Sequence, residues 1–131
     1  MRTKRIVAAA LVAGGCWALV VAAAPPPEVG RTDLLRRDLS VARHEVVQVR
    51  VDFPPGTAFG RHTHPGAEIA YVIEGTLEYE MDGKVVTLEA GEVLFIPAGT
   101  IHAARNAGES HGAELATYIV PKGKPLVALV K

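Results

Sequence analysis

The 131-residue chain has one cysteine, Cys16. With no second cysteine, no internal disulfide can form and the fold must rest on its packed core. No surplus of positive charge is present either: 14 Lys and Arg residues face 14 Asp and Glu residues. That balance argues against nucleic acid as a partner. Past residue 30 there is no helical hydrophobic period and no low-complexity tract. A helical bundle and a disordered tail are both excluded for that stretch. What remains is a chain of one-domain length rich in short apolar runs.

The longest apolar run is at the start. Met1 to Arg5 reads MRTKR, and Ile6 to Ala24 carries no charge. A basic head, an apolar centre and a small-residue exit are the layout of a secretory signal peptide, here residues 1–23. Cleavage is expected after Ala22 or Ala23, because Pro25 disfavours the bond behind Ala24. Loss of Arg2, Lys4 and Arg5 leaves 11 basic against 14 acidic residues, a net charge of −3. The expected location is outside the cytoplasm, periplasmic or secreted, with no stable membrane association after cleavage. Two alternatives stay open. The run could persist as an uncleaved anchor, or Cys16 could carry a lipid, although AGGC lacks a leucine three residues before the cysteine.

Residues 24–44 read as a linker, PPPEVG from Pro25 to Gly30, followed by a charged lead-in or edge strand from Asp33 to His44. Residues 45–131 read as the folded domain. Val47, Val49, Val51 and Phe53 alternate with polar residues, the pattern of a half-buried strand. Further strands are expected over Glu68–Ile73, Leu77–Met81, Lys84–Leu88, Glu92–Ile96, Ile101–Arg105 and Glu114–Val120. Asp82-Gly83 marks a tight hairpin. Short, evenly spaced strands with Gly and Pro punctuation predict an all-β sandwich or barrel. The stretches Gly56–Gly75 and Gly91–Asn106 look like two related hairpin units.

The chemistry concentrates in GRHTHPGAEIAYVIEG, from Gly60 to Gly75. Strand side chains alternate, so His62 and His64 point to one side. Pro65 and Gly66 turn the chain, and Glu68 can return beside the imidazoles. His102, in PAGTIHAARN, follows a similar turn. Three imidazoles and one carboxylate suit a first-row divalent metal. His44 and His111 are expected to be solvated, and Asn106 to serve a turn.

These residues resemble the cupin family. Gly56, His62, His64, Glu68 and Gly75 meet every spacing of its first motif. Gly91, Pro97, Gly99, His102 and Asn106 meet every spacing of the second. The resemblance implies a double-stranded β-helix, the jelly-roll barrel of cupins, with His62, His64, Glu68 and His102 holding one divalent metal per chain. Iron or manganese is favoured, with zinc, nickel, copper and cobalt as alternatives. It also implies a homodimer, with Asp33 to His44 as a candidate contact segment.

Four protein ligands on an octahedral ion leave two positions for a small oxygen-rich molecule. Ala70 and Ala104 share faces with the ligands and predict an open lumen. Glu114 and Tyr118 share one face of the last strand, either toward the lumen or away from it, and are the weak candidates for acid–base work. Glu78 and Glu80 are expected outside. The expected function is a metal-dependent enzyme, a dioxygenase-type oxidoreductase first. The alternatives are a non-catalytic small-molecule or metal-binding module, and then an isomerase or decarboxylase.

Overall fold

The computed structural model describes residues 23–131, and the signal-peptide reading and Cys16 lie outside them. Among the described residues there are ten strands and no helix. They are β1 (Gly30–Asp38), β2 (His44–Phe53), β3 (Ala58–Thr63), β4 (Ala67–Glu74), β5 (Thr76–Met81), β6 (Lys84–Glu89), β7 (Val93–Ile96), β8 (His102–Arg105), β9 (Gly112–Pro121) and β10 (Ala128–Leu129). Two five-stranded antiparallel sheets result, in the orders β1-β2-β9-β4-β7 and β10-β3-β8-β5-β6.

The alternation in β2 sets the inner face of the first sheet. Val47, Val49, Val51 and Phe53 are buried, and they pair in register with Tyr118, Ala116, Glu114 and Gly112 of β9. Leu77 and Tyr79 of β5 supply the facing layer. Each such apolar side chain, fully buried, contributes about 1.5–3 kcal/mol. The Asp82-Gly83 turn joins β5 to β6 with positive φ at both residues, 53° and 72°, the geometry that matches the right-handed strand twist.

The lead-in is a strand. β1 pairs with β2 from Gly30↔Asp52 to Asp38↔Glu45 and carries a bulge between Asp33 and Leu35. It begins three residues before the expected Asp33, on a glycine that tolerates the strand because it lies on the sheet's edge. Arg36–Glu45 reinforces the contact, and Lys122, just past β9, pairs with Asp38 at the end of β1 at 2.7 Å.

The two Gly-bounded units are corners and not hairpins. β3 lies in the second sheet and β4 in the first, while β7 lies in the first and β8 in the second. Strand β3 pairs with β8, and β4 with β7. Each unit therefore crosses between sheets and carries its polar residues to the same end of the lumen. The β3–β4 corner is pressed against β9: a Cβ added at Gly66 would sit 2.0 Å from the Ile119 carbonyl oxygen. Gly60, one strand away, has nothing within 4 Å of such a Cβ.

Gly66→Ala is therefore expected to cost about 3 kcal/mol, the upper range for overpacking, because rigid backbone cannot yield. Gly60→Ala should change stability by roughly 0.5 kcal/mol or less. Urea denaturation of both variants checks this; equal midpoints would contradict the close packing of the corner.

Candidate metal centre

Three strands bring the polar residues together. Strand β3 and the corner after it carry His62 and His64, β4 carries Glu68, and β8 carries His102. A bulge between Phe59 and His62 lets both of those side chains face inward, three residues apart, where a regular strand would turn one of them out. His62 then pairs across to His102. All four residues are buried, and one ligand atom from each lies within 4.8 Å of the others.

The ring orientations are set by the backbone. Nδ1 of His62 lies 2.7 Å from the Gly60 carbonyl, Nδ1 of His102 2.9 Å from the Thr100 carbonyl, and Nδ1 of His64 2.6 Å from the Leu126 carbonyl. A carbonyl accepts only, so in each case Nδ1–H donates. The proton is thereby held on Nδ1, and in the neutral ring Nε2 keeps a lone pair directed at the centre. Two of these carbonyls are local, two residues before their histidine. The third comes from the C-terminal segment, held down where β10 pairs with β3 and Val130 N–H reaches the Arg61 carbonyl at 2.9 Å.

Protein groups alone do not satisfy this centre. His102 Nε2 donates to Glu68 Oε2 at 3.0 Å, so with Nδ1–H on the Thr100 carbonyl this ring is an imidazolium; burial opposes its charge, but Glu68 holds it above the usual range. His64 Nε2 lies 2.9 Å from the same oxygen but makes no hydrogen bond, and it is left buried without a partner. An orphaned, fully buried imidazole nitrogen is costly, and it is what a missing cation would satisfy. Burial lowers His62 to about 4, and the neighbouring imidazoles add to that. Burial opposes the Glu68 charge, but His102 and His64 outweigh it and hold the carboxyl below its usual range. A neutral imidazole and an ionised carboxylate are the forms that bind metal. The donor set and its unfilled partner fit a first-row divalent cation, with His102 giving up its Nε2 proton as the metal binds.

Beyond the cluster, β9 faces Glu114 and Tyr118 into the lumen, which settles the register the sequence left open. Both are buried. Glu114 accepts a short hydrogen bond from the Tyr79 hydroxyl. Burial, and then the Glu68 charge, push Glu114 up to about 7. The same two causes push Tyr118 well above the usual phenol range. The expected open lumen is corrected: Ala70 and Ala104 are buried, but Phe59, Tyr79 and Tyr118 take the space. The cavity beside the cluster is about 10 Å³, room for about one water. Sequence reasoning missed Tyr79 as the partner of Glu114, although its alternation with Glu78 and Glu80 could have found it. It also missed Arg31 at the mouth, and the Leu126 carbonyl, for which no local signal exists.

The remaining candidates take structural places. Asn106 is buried and bonds the Phe53 and Ser110 carbonyls and the Gly108 N–H, closing a turn. His111 is exposed and pairs with Asp52 at 3.0 Å, and His44 bonds the Ala42 carbonyl. Glu78 binds Arg105 on the outer face, and Glu80 is exposed.

Fold and site together define a small antiparallel β-barrel with a buried three-histidine, one-carboxylate cluster. Residues 49–125 match the cupin domain family, and the chain belongs to it. It is 36% identical over 72 residues to an oxalate-binding protein of Thermotoga maritima, a match covering 54% of this chain and 60% of that protein. It is 38% identical over 81 residues to germin-like protein 1-1 of Oryza sativa subsp. japonica, covering 56% and 37%. Both matches thus take in less than two thirds of the relative. Among solved structures it resembles a predicted oxalate decarboxylase from Thermotoga maritima, with 31% identity, a TM-score of 0.61 and coverage of 71% and 80%. It also resembles a double-stranded β-helix protein from Klebsiella pneumoniae, with 25% identity, a TM-score of 0.65 and coverage of 82% and 89%.

A chain ending at Pro125 removes the carbonyl that orients His64 while sparing every strand but β10. Its affinity for Mn²⁺ or Zn²⁺ is expected to fall roughly tenfold to a hundredfold, the usual effect of losing such a partner. Competitive chelator titration measures it; unchanged affinity with an unchanged melting temperature would show that His64 needs no such support.

Proposed function

We propose that this chain is an exported, metal-dependent cupin enzyme acting on a small oxygen-rich molecule of about the size of oxalate. The observation that carries this reading is the orphaned His64 Nε2 inside the buried cluster. Bound by His62, His64, Glu68 and His102, a divalent metal would supply Lewis acidity, or redox chemistry if it is iron or manganese. The chain's residues do the rest. Phe59, Phe53 and Tyr118 exclude water and limit the ligand to a few atoms. Glu114, poised near neutrality and bonded to Tyr79, is placed to take or give one proton beside the ligand. The relatives named for oxalate support this ligand size. A dioxygenase-type reaction is the finer reading, supported by the two coordination positions that four ligands leave on an octahedral ion. The alternative is a binding module with the same site and no turnover.

Export is supported by the basic and apolar N-terminal residues; mature protein starting at Ala23 or Ala24 would agree with it, and an intact N-terminus would not. A homodimer is supported by Tyr71, Val93, Phe95 and Ile119, which lie exposed on the outer face of β4, β7 and β9. Sedimentation should give twice the chain mass, and monomer at micromolar concentration would refute it.

Metal-loaded protein should bind oxalate, and metal-stripped protein should not, by calorimetry. Glu114 is neutral below its pKa and charged above it. Oxalate affinity should therefore weaken as pH rises through that pKa, which a bound cation would pull below about 7. Glu114→Gln should flatten the profile. Oxygen uptake with a small oxygen-rich substrate would select the dioxygenase reading; oxalate binding without any turnover would select the binding module.

A further inference from the structure

The cavity beside the cluster is nearly closed, and one residue closes it from outside. Among its lining residues Arg31 alone is exposed; the rest are buried or, for Phe59, half-buried. Arg31 lies on β1 opposite Val51, on the inward face of that edge strand. Its guanidinium carbon stands 5.6 Å from the centre of the Phe59 ring and 6.0 Å from that of Tyr118. Nη2 reaches the Tyr118 hydroxyl at 3.5 Å. Arg36, Arg50 and Arg105 each have a carboxylate partner, whereas among the described residues Arg31 has none. Aromatic faces hold a cation weakly in water and leave its five N–H donors largely unspent.

We propose that Arg31 is both the cover of the site and the receptor for one carboxylate of a small dianionic ligand. This rests on the metal-centre reading above. An exposed arginine can swing aside at little cost, which opens a space that holds about one water while Arg31 covers it. The charges also match. At a pH below the Glu114 transition, where that carboxyl is neutral, a divalent cation with Glu68 leaves one net positive charge, and Arg31 adds a second. A dianion neutralises both, one end toward the cluster and the other in the guanidinium fork. A monoanion or neutral ligand leaves one of them uncompensated. Position on β1 links ligand charge to the N-terminal edge strand, an element outside the ligand-bearing strands.

The test uses oxalate and oxamate, which share a shape but differ by one charge, with manganese-loaded full-length mature protein and calorimetry. Wild type should bind oxalate more tightly than oxamate. In Arg31→Gln, oxalate affinity should drop roughly tenfold to a hundredfold, with oxamate nearly unchanged and manganese content as in wild type. Arg31→Lys, which keeps the charge and loses the fork, should fall between. If Arg31→Gln keeps the oxalate affinity and the oxalate-to-oxamate ratio of wild type, the role of Arg31 is overturned while the site reading stands. If loaded wild type binds neither ligand, the reading of the site fails and the proposal with it.

Discussion

Everything at this site depends on where three imidazole protons are held. Gly60, Thr100 and Leu126 each offer a carbonyl to an Nδ1–H, so all three Nε2 atoms face the centre, that of His102 carrying the proton it donates to Glu68. Without those carbonyls the His62 and His64 rings would be free to rotate toward other partners. With them, His64 Nε2 stays buried and unpartnered. The protein maintains an unsatisfied centre, at a cost in stability, because packing holds the rings from outside.

The two-sheet architecture makes that possible. His62 and His102 come from the second sheet and Glu68 from the first, so the cluster spans the gap between sheets at the corner end. The bulge after Phe59 aims both Phe59 and His62 inward. Gly66 allows the β3–β4 corner to lie against β9. Beside Glu68 in the first sheet, β9 places Tyr118 directly across from it and Glu114 further along the same face, opposite Val72, where burial keeps a proton near the carboxyl at neutral pH. The centre thus has a charged part and a proton-holding part, with space for about one water between them.

Most of this architecture was legible in the chain. Alternation revealed β2, β5 and the inner face of the core, and Asp82-Gly83 marked its hairpin, because each is written in adjacent residues. The four clustered residues were legible from spacing, through resemblance to cupins. Tertiary features were not. Whether Glu114 faces in or out is decided by pairing with Val51 and Val72, two strands distant in sequence. Ala70 and Ala104 suggested an open lumen, but the fullness of that space depends on Phe59, Tyr79 and Tyr118, brought in from three other strands. Arg31 was hidden in a segment whose strand character comes from pairing with β2 rather than from its own pattern.

The most direct measurement is X-ray absorption at the metal edge of manganese-loaded protein. One metal per chain is expected, with imidazole scattering from three histidines and a carboxylate oxygen, the remaining positions being filled by light non-protein atoms. Loss of one imidazole shell in His64→Ala, with the fold intact, would tie the orphaned nitrogen to the metal. A spectrum with only oxygen neighbours, or no metal retained at neutral pH, would contradict the account at its centre.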